Sequence, residues 1–339
     1  MNYEKYILRC LELARLSEYY VAPNPMVGAV LVRNSDECVL SEGWHEQYGA
    51  AHAEVNCLRA AERLSDTIDY SQCTLFVNLE PCSHYGKTPP CAELIIQKGI
   101  GRVVVGMLDP NPIVAGQGIR MLQEAGIEVV IGVHEKECRE LNKRFVCLHE
   151  KKRPYVILKW AQTADGFIDT HRKTGEGTRN NAHLNGALSI STPETKKIVH
   201  RMRAENMAIM VGTRTVLLDN PRLLNTHWEG RHPIRITLDR HNILPTDSRI
   251  FSDESKTIVY RDRTDWPFIL EDLSKYNIHS VLVEGGSLLH EHILQTELWD
   301  EIHIEIAPEI VIGDGVTAPR ITLPNIYEMV DGHRLYTIK

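Results

Sequence analysis

Residues 74–107 read TLFVNLEPCSHYGKTPPCAELIIQKGIGRVVVGM, and the first half of the chain is organised around this stretch. Thr74 to Leu79 is a short apolar run, Cys91 to Lys98 has helical spacing, and Val103 to Met107 is apolar again. Short apolar runs without alternation read as strands buried on both faces. Strand, helix and strand in that order form a crossover unit with parallel strands. Pro89-Pro90 ahead of Cys91 suits a helix start. Cys82 and Cys91 therefore fall at element ends, where a rigid scaffold exposes side chains. The helix dipole at Cys91 is expected to favour its thiolate.

Working outward, the spacing predicts helices over 3–17, 52–64, 118–125 and 135–148, and strands over 26–32 and 127–133. Strands alternating with helices imply a parallel sheet covered on both faces, an α/β layered fold. Glu150-Lys151-Lys152-Arg153-Pro154 is a charged cluster closed by a proline, which a helix does not enter easily. The expected organisation is one domain over 1–148, a linker at 149–154 and a second domain over 155–339. In the second domain, strands are expected at 155–160, 207–211, 234–238, 256–260, 280–284 and 301–307, with helices at 194–204, 213–218, 267–276 and 286–295.

Composition narrows the function classes. The chain has 339 residues, 43% hydrophobic and 24% charged, with a net charge of −7. That length favours two cores, and the acidic balance lacks the basic stripe of a nucleic-acid binder. No apolar run reaches the roughly 18 residues of a spanning helix. Met1-Asn2-Tyr3-Glu4-Lys5-Tyr6 leads into an amphipathic pattern without a leader's apolar core, so a cytoplasmic location is expected. All eight cysteines lie at or before Cys147, which fits a reducing compartment. Cys82 and Cys91 are assigned to metal, and the other six read as small apolar fillers.

His52-Ala53-Glu54 gives Cys82 and Cys91 their chemical meaning. One imidazole and two thiolates suit a tetrahedral zinc with one position open to water. Zinc lowers the pKa of that water, and a non-ligating glutamate beside it moves protons, as in zinc-dependent nucleobase deaminases. His-x-Glu recurs at His227-Trp228-Glu229 and His303-Ile304-Glu305, but no cysteine follows either copy. The last copy lies in an alternating run and reads as the polar face of a strand. A purely structural zinc would need a fourth protein ligand, for which His84 is the candidate.

Eight residues separate Cys82 from Cys91. Glu80-Pro81-Cys82-Ser83-His84 through Cys91, with Pro23-Asn24-Pro25-Met26-Val27-Gly28, His52-Ala53-Glu54 and Asp109-Pro110-Asn111-Pro112, resembles the bifunctional riboflavin-biosynthesis deaminase/reductase family. The resemblance spans essentially the whole chain. It implies a cytidine-deaminase-like three-layer α/β/α domain with one zinc on His52, Cys82 and Cys91 and Glu54 as the catalytic residue. Asn24, His45, His84 and Lys87 would contact a small phosphorylated diaminopyrimidine, which loses its C2 amino group as ammonia. Lys87 would meet the phosphate, or is a solvated surface lysine; Asn24 is alternatively a turn residue between prolines.

In the second half, Val283-Glu284-Gly285-Gly286-Ser287-Leu288 ends an apolar run. It is either a tight strand-to-helix turn or a place where backbone approaches a phosphate. Lys159 to Gly166, Arg203-Ala204, Val211-Gly212-Thr213 and Thr215 through Asp219-Asn220-Pro221 resemble the reductase half of the family. That resemblance implies a dihydrofolate-reductase-like α/β fold using NADPH to reduce a ribosylamino group to a ribitylamino chain. Ala161, Ser189, Thr215, Asp219, Gly285, Gly286, Ser287 and Leu288 would line the cofactor. Lys159, Arg203, Leu223 and Glu284 would meet substrate, with Lys159 and Glu284 polarising the sugar carbon.

Two positions depart from the family. Ser189 stands where the family has a tryptophan against the cofactor, and Thr226 where it has a substrate-binding arginine, with Arg222 nearby. Residues 170–187 form a polar insertion, a lid or a long loop. These departures keep open a single-activity deaminase with an altered reductase domain. A homo-oligomer, dimer or tetramer, is expected, with no nucleic-acid or membrane partner.

Overall fold

The computed structural model describes residues 1–64, 67–85, 89–172, 187–253 and 255–339. The chain divides into two compact units, Met1–Lys152 and Arg153–Lys339. Among the described residues no helix is long and apolar enough to cross a membrane.

The first unit runs α1 (Tyr3–Arg15), β1 (Gly28–Arg33), β2 (Cys38–Trp44), α2 (Ala53–Leu64), β3 (Cys73–Leu79), α3 (Cys91–Lys98), β4 (Arg102–Met107), α4 (Gln117–Glu124), β5 (Glu128–Ile131), α5 (Glu135–Leu141) and α6 (Lys143–Lys151). Its five strands lie in the order β2-β1-β3-β4-β5. β3, β4 and β5 pair in parallel, as the 74–107 stretch predicts. β1 does not follow that expectation. It pairs antiparallel with β3 and with β2, a strand the periodicity does not reveal. β2 is half exposed and contains Ser41, Glu42 and Gly43, so its composition is weak in strand formers. Gly43 is required there, because a Cβ would stand 2.3 Å from the Cys57 backbone nitrogen of α2. The central strand β3 is buried along its whole length.

Two further expectations are corrected in this unit. The helix expected at 135–148 breaks at Asn142, whose side chain accepts from the Met26 N–H (2.8 Å) and donates to its carbonyl (3.0 Å). The expected linker is helical through Lys151, and Lys152 then adopts the left-handed conformation. Cys10, Cys57, Cys73, Cys138 and Cys147 are buried fillers, whereas Cys38 is exposed on β2.

The second unit runs β6 (Tyr155–Thr163), β7 (Phe167–Asp169), α7 (Pro193–Glu205), β8 (Ala208–Val211), α8 (Thr213–Asp219), β9 (Ile234–Leu238), β10 (Thr257–Tyr260), α9 (Trp266–Lys275), β11 (Ser280–Gly285), α10 (Ser287–Thr296), β12 (Glu301–Ala307), β13 (Val316–Thr317), β14 (Glu328–Val330) and β15 (His333–Ile338). Its eight-stranded sheet has the order β10-β9-β8-β11-β6-β12-β15-β14. The six strands from β10 to β12 are parallel; β15 and β14 then add on antiparallel. Arg153 opens the unit with a two-pronged pair to Asp300, 2.5 and 2.9 Å, fixing where β6 enters beside β12. β12 carries the polar face that alternation suggests, on Glu301, His303 and Glu305, but its two carboxylates face the interior. Glu301 and Glu305 are buried at 5% and 2% exposure, where Tyr155 and His303 meet Glu301, and Ser191 and His333 meet Glu305.

Candidate active sites

In the first unit, His52 immediately precedes α2, Cys82 follows β3, and Cys91 is the first residue of α3. The fold brings their ligand atoms within 4.8 Å of one another. His52 Nδ1 lies 3.5 Å from Cys82 Sγ and 3.3 Å from Cys91 Sγ. Tetrahedral bonding at about 2.3 Å to sulfur and about 2.0 Å to nitrogen would place such atoms about 3.6 Å apart. The donor set and its spacing therefore fit one zinc. Three such ligands converge among the described residues, and His84, exposed beyond Cys82, is not one of them.

The α3 N-terminus acts differently from the sequence expectation. Its Cys91 N–H points at Cys82 Sγ, 3.2 Å away, so the helix stabilises the charge of the other thiol. The hydrogen bond with Cys91, then that with His52, pulls the Cys82 thiol well below the usual range, whereas Cys91 is pushed up. Of the two thiols, Cys82 is the one whose surroundings favour the thiolate. Glu54 sits in the first turn of α2 at 3% exposure. Burial, with the nearby Cys82 charge, pushes its carboxyl up to about 7.

Asn24 and His45 stand beside this cluster. Asn24 Nδ2 lies 3.0 Å from His45 Nε2, and His45 Nδ1 lies 2.9 Å from the Ala51 carbonyl. The carbonyl must receive a proton, so the ring carries it on Nδ1 and Nε2 accepts from the Asn24 amide. Burial holds His45 below its ordinary pKa, consistent with a neutral ring. The His45 and His52 rings meet edge to face at 5.4 Å. Lys87 lies outside the described residues.

Three supporting residues escape a sequence reading. Asn78 accepts from Gly28 N–H (2.8 Å) and donates to the Met26 carbonyl (3.0 Å); with Asn142 it ties down the segment that carries Asn24. Glu80 is 5% exposed and accepts from the N–H groups of Asp109, Gly116, Gly118 and Ile119 at 2.9–3.3 Å. It therefore holds the 109–119 loop against the end of β3. Glu80 directly precedes Pro81-Cys82, the one sequence signal that could have flagged it.

In the second unit, Lys159 (β6), Arg203 (α7) and Glu284 (β11) converge. Arg203 grips Glu284 with two hydrogen bonds, 2.8 and 2.6 Å, and donates to the Leu224 carbonyl at 2.9 Å. Burial pushes the Glu284 carboxyl up, but the Arg203 charge and hydrogen bonds outweigh it and hold the carboxyl below its ordinary value. Burial lowers Lys159 despite Glu305 and Glu284 nearby. The carboxylate nearest the Lys159 ammonium is Glu305, at 3.8 Å. Sequence reasoning passed over Glu305 as strand surface.

Of the residues read as lining the cofactor, Gly285, Gly286, Ser287 and Leu288 lie at the carboxyl end of β11 and Thr215 follows that of β8, the usual place for ligands in such sheets. Gly285 has φ +128°, a conformation that strains any other residue, and its carbonyl accepts from Gly212 N–H at 2.9 Å. A Cβ on Gly286 would stand 3.6 Å from Thr215 Oγ1, so α8 and α10 start side by side. Ser287 donates to the Thr317 carbonyl (2.7 Å), and Leu288 is 76% exposed. Ala161 lies on β6 opposite Glu305 of β12. Asp219 is paired with Arg172 at 2.6 Å, and Arg172 also holds Asp169. Ser189 is exposed. Leu223 is buried against Ile209, Val211, Val216 and Ile250, which leaves its backbone as the part able to face a ligand. Most of the 170–187 insertion, residues 173–186, lies outside the described residues.

Comparison with known proteins follows this division. Residues 1–107 match the cytidine and deoxycytidylate deaminase zinc-binding region, and residues 154–324 match the RibD C-terminal domain. Riboflavin biosynthesis protein RibD of Actinobacillus pleuropneumoniae is 35% identical over 341 residues, covering 93% of this chain and 86% of that protein. RibD of Escherichia coli K12 is 33% identical over 366 residues, covering 98% and 94%. Among solved structures, the diaminohydroxyphosphoribosylaminopyrimidine deaminase/5-amino-6-(5-phosphoribosylamino)uracil reductase of Thermotoga maritima superposes with TM-score 0.85 at 35% identity, covering 99% and 97% of the two chains. Acinetobacter baumannii RibD gives TM-score 0.87 at 31% identity, with 99% and 98% coverage.

Proposed function

The chain belongs to the RibD family of bifunctional riboflavin-biosynthesis enzymes, a zinc-dependent deaminase joined to an NADPH-dependent reductase, and from this premise we propose which of its residues do the work. The observation that carries the reading is the convergence of His52 Nδ1 and the Cys82 and Cys91 sulfurs beside the buried Glu54.

Zinc on His52, Cys82 and Cys91 supplies a Lewis acid that brings the pKa of water towards neutrality. Glu54 moves the protons. Its place in the first turn of α2, buried beside the ligands without being one, suits it to take a proton from the attacking water and deliver it to the departing amino group. His45 and Asn24 fix the wall of the cleft, since each satisfies the other and Ala51 holds the ring. The substrate of this reading is the diaminopyrimidinone ribosyl phosphate named for the Thermotoga protein, with Asn24, His45, His84 and Lys87 contacting it.

In the second unit, NADPH supplies the hydride. Gly285, Gly286, Ser287 and Thr215 offer backbone and hydroxyl groups where two helices begin, which suits its phosphates. Ala161, Ser189, Asp219 and Leu288 complete that wall. Arg203, Glu284, Lys159 and the Leu223 backbone face the sugar. Arg203 fully engages Glu284, so Lys159, lowered by burial, is the group able to give a proton there. The free cysteines fit a cytoplasmic protein, and an assembly of identical chains belongs to the same reading.

The test supplies the diamino substrate, zinc and NADPH to the intact chain. Ammonia release followed by loss of nicotinamide absorbance is the expected result. Ammonia release without NADPH oxidation, in folded protein given the deaminated product, would reduce the chain to a single-activity deaminase.

A further inference from the structure

Glu305 is not isolated with Lys159. Its Oε2 accepts from Ser191 Oγ at 2.6 Å and faces Lys159 Nζ at 3.8 Å; its Oε1 lies 2.8 Å from His333 Nδ1. His333 Nε2 lies 2.8 Å from Glu309 Oε1. The Glu305 and His333 side chains are 2% and 1% exposed, while that of Glu309 is 59% exposed. A line of acid, imidazole and acid thus runs from solvent to a largely enclosed ammonium, 13% exposed.

We propose that Glu309, His333 and Glu305 form a proton path from the surface to Lys159, replacing the proton that the reductase reaction consumes. The proposal rests on the assignment of Lys159 to the reductase centre.

The reaction needs such a supply. Opening a ribosylamino ring by reduction forms a C1′–H bond from the hydride and breaks C1′–O4′. The O4′ electron pair then takes one proton, and the nicotinamide is oxidised. Lys159 gives that proton and is left neutral. The Glu305 carboxylate takes a proton from the His333 imidazolium at Oε1 and, by turning its carboxyl, passes it to the neutral amine; water at Glu309 then restores the ring. The 3.8 Å gap needs about 1 Å of side-chain movement to reach hydrogen-bond distance.

The surrounding charges suit the direction of transfer. Lys159 faces Glu305 of β12, Glu284 of β11, Arg203 of α7 and His290 of α10, and burial leaves it below its ordinary pKa. Glu305 faces Ser191 and Thr195 as well as His333. Burial opposes the His333 imidazolium, but hydrogen bonds to Glu305 and Glu309 outweigh it and hold the ring above its ordinary value, with Asp331 beyond Glu309. The pairing therefore favours the protonated ring, with Nδ1–H on Glu305 and Nε2–H on Glu309. These three residues act through Lys159 and are relay and positioning residues.

The test uses the full chain with NADPH and the deaminated substrate. His333→Ala should lower reductase kcat about 10²-fold, the low end for a lost proton-transfer group, with unchanged KM for NADPH. Added imidazole should restore turnover, because it refills the gap with a proton carrier. Glu309→Gln, at an exposed position, should move the alkaline limb of the kcat profile to lower pH as the imidazolium loses a partner. A folded His333→Ala that binds NADPH normally yet gains nothing from imidazole overturns the path. So does an unchanged pH profile in Glu309→Gln, which keeps the test open should His333→Ala not fold. Lys159→Met separates the two readings. Wild-type turnover in Lys159→Met removes Lys159 from the site; an inactive Lys159→Met beside wild-type kcat and pH profiles in the other two variants removes the path alone.

Discussion

The two units bury polar groups in opposite ways. In the first, His52, Cys82 and Cys91 converge as three donors suited to one shared ion, with Glu54 pressed against them. In the second, Arg203 and Glu284 satisfy each other, and Lys159, Glu305, His333 and Glu309 form an unbroken line of partners that reaches solvent at Glu309. A cluster that needs an ion advertises its chemistry, because soft ligands beside a non-ligating carboxylate have few other uses. A cluster that satisfies itself looks like any buried ion pair, and only its place at the carboxyl ends of parallel strands marks it as a site.

Glu54→Gln tests the first half of that contrast most severely. Zinc content should be unchanged, because Glu54 is not a ligand, while ammonia release falls about 10²–10⁴-fold and NADPH oxidation with deaminated substrate persists. Wild-type ammonia release from this variant would break the contrast at its stronger end.

Arg203→Leu addresses the self-satisfied cluster. Removing one partner of a buried pair leaves Glu284 uncompensated, which costs about 3–5 kcal/mol. The second unit should melt markedly earlier in calorimetry, and Arg203→Leu/Glu284→Leu should recover much of the loss. A single variant as stable as wild type would mean that water already reaches the pair.

A smaller effect is expected from Glu80→Gln in the first unit. The carboxylate accepts four backbone N–H groups, and the amide cannot accept them all. Loss of about 1–3 kcal/mol follows, with faster hydrogen exchange at Gly116 and Gly118. Unchanged exchange there would show that the 109–119 loop holds itself.

The mildest prediction concerns pH. His333 is raised in the folded state, so its contribution is complete below the unfolded value of about 6.5 and fades as pH rises through the folded value. Glu305 and Glu284 are lowered, so theirs is present above about 4.3 and fades on acidification. The stability difference between wild type and His333→Gln should therefore be larger at pH 6 than at pH 9. A constant difference would place the His333 effect in packing.

Legibility followed the same divide. The parallel core β3-β4-β5 and its helices follow from uninterrupted apolar runs, and the metal ligands from residue type. β2 was not legible, since Ser41, Glu42 and Gly43 form a strand only because α2 packs on them. The helix break at Asn142 depends on Met26, 116 residues away. Ser189, Thr215, Asp219 and the other proposed reductase contacts are reached by resemblance, because no spacing rule marks residues drawn from five separate elements and the loops between them.

The sequence alone determined the zinc chemistry, the position of Glu54, and the alternation of strand and helix in both halves. These depend on residue type and local period, which a linear chain displays. The tertiary structure alone decided that β1 runs antiparallel, that the α3 N-terminus serves Cys82, and that Glu305 belongs to the interior. Each of these turns on which distant strand or helix becomes a neighbour, and in the acid–imidazole chain Glu305 and His333, 28 residues apart, became partners only when β15 folded back beside β12.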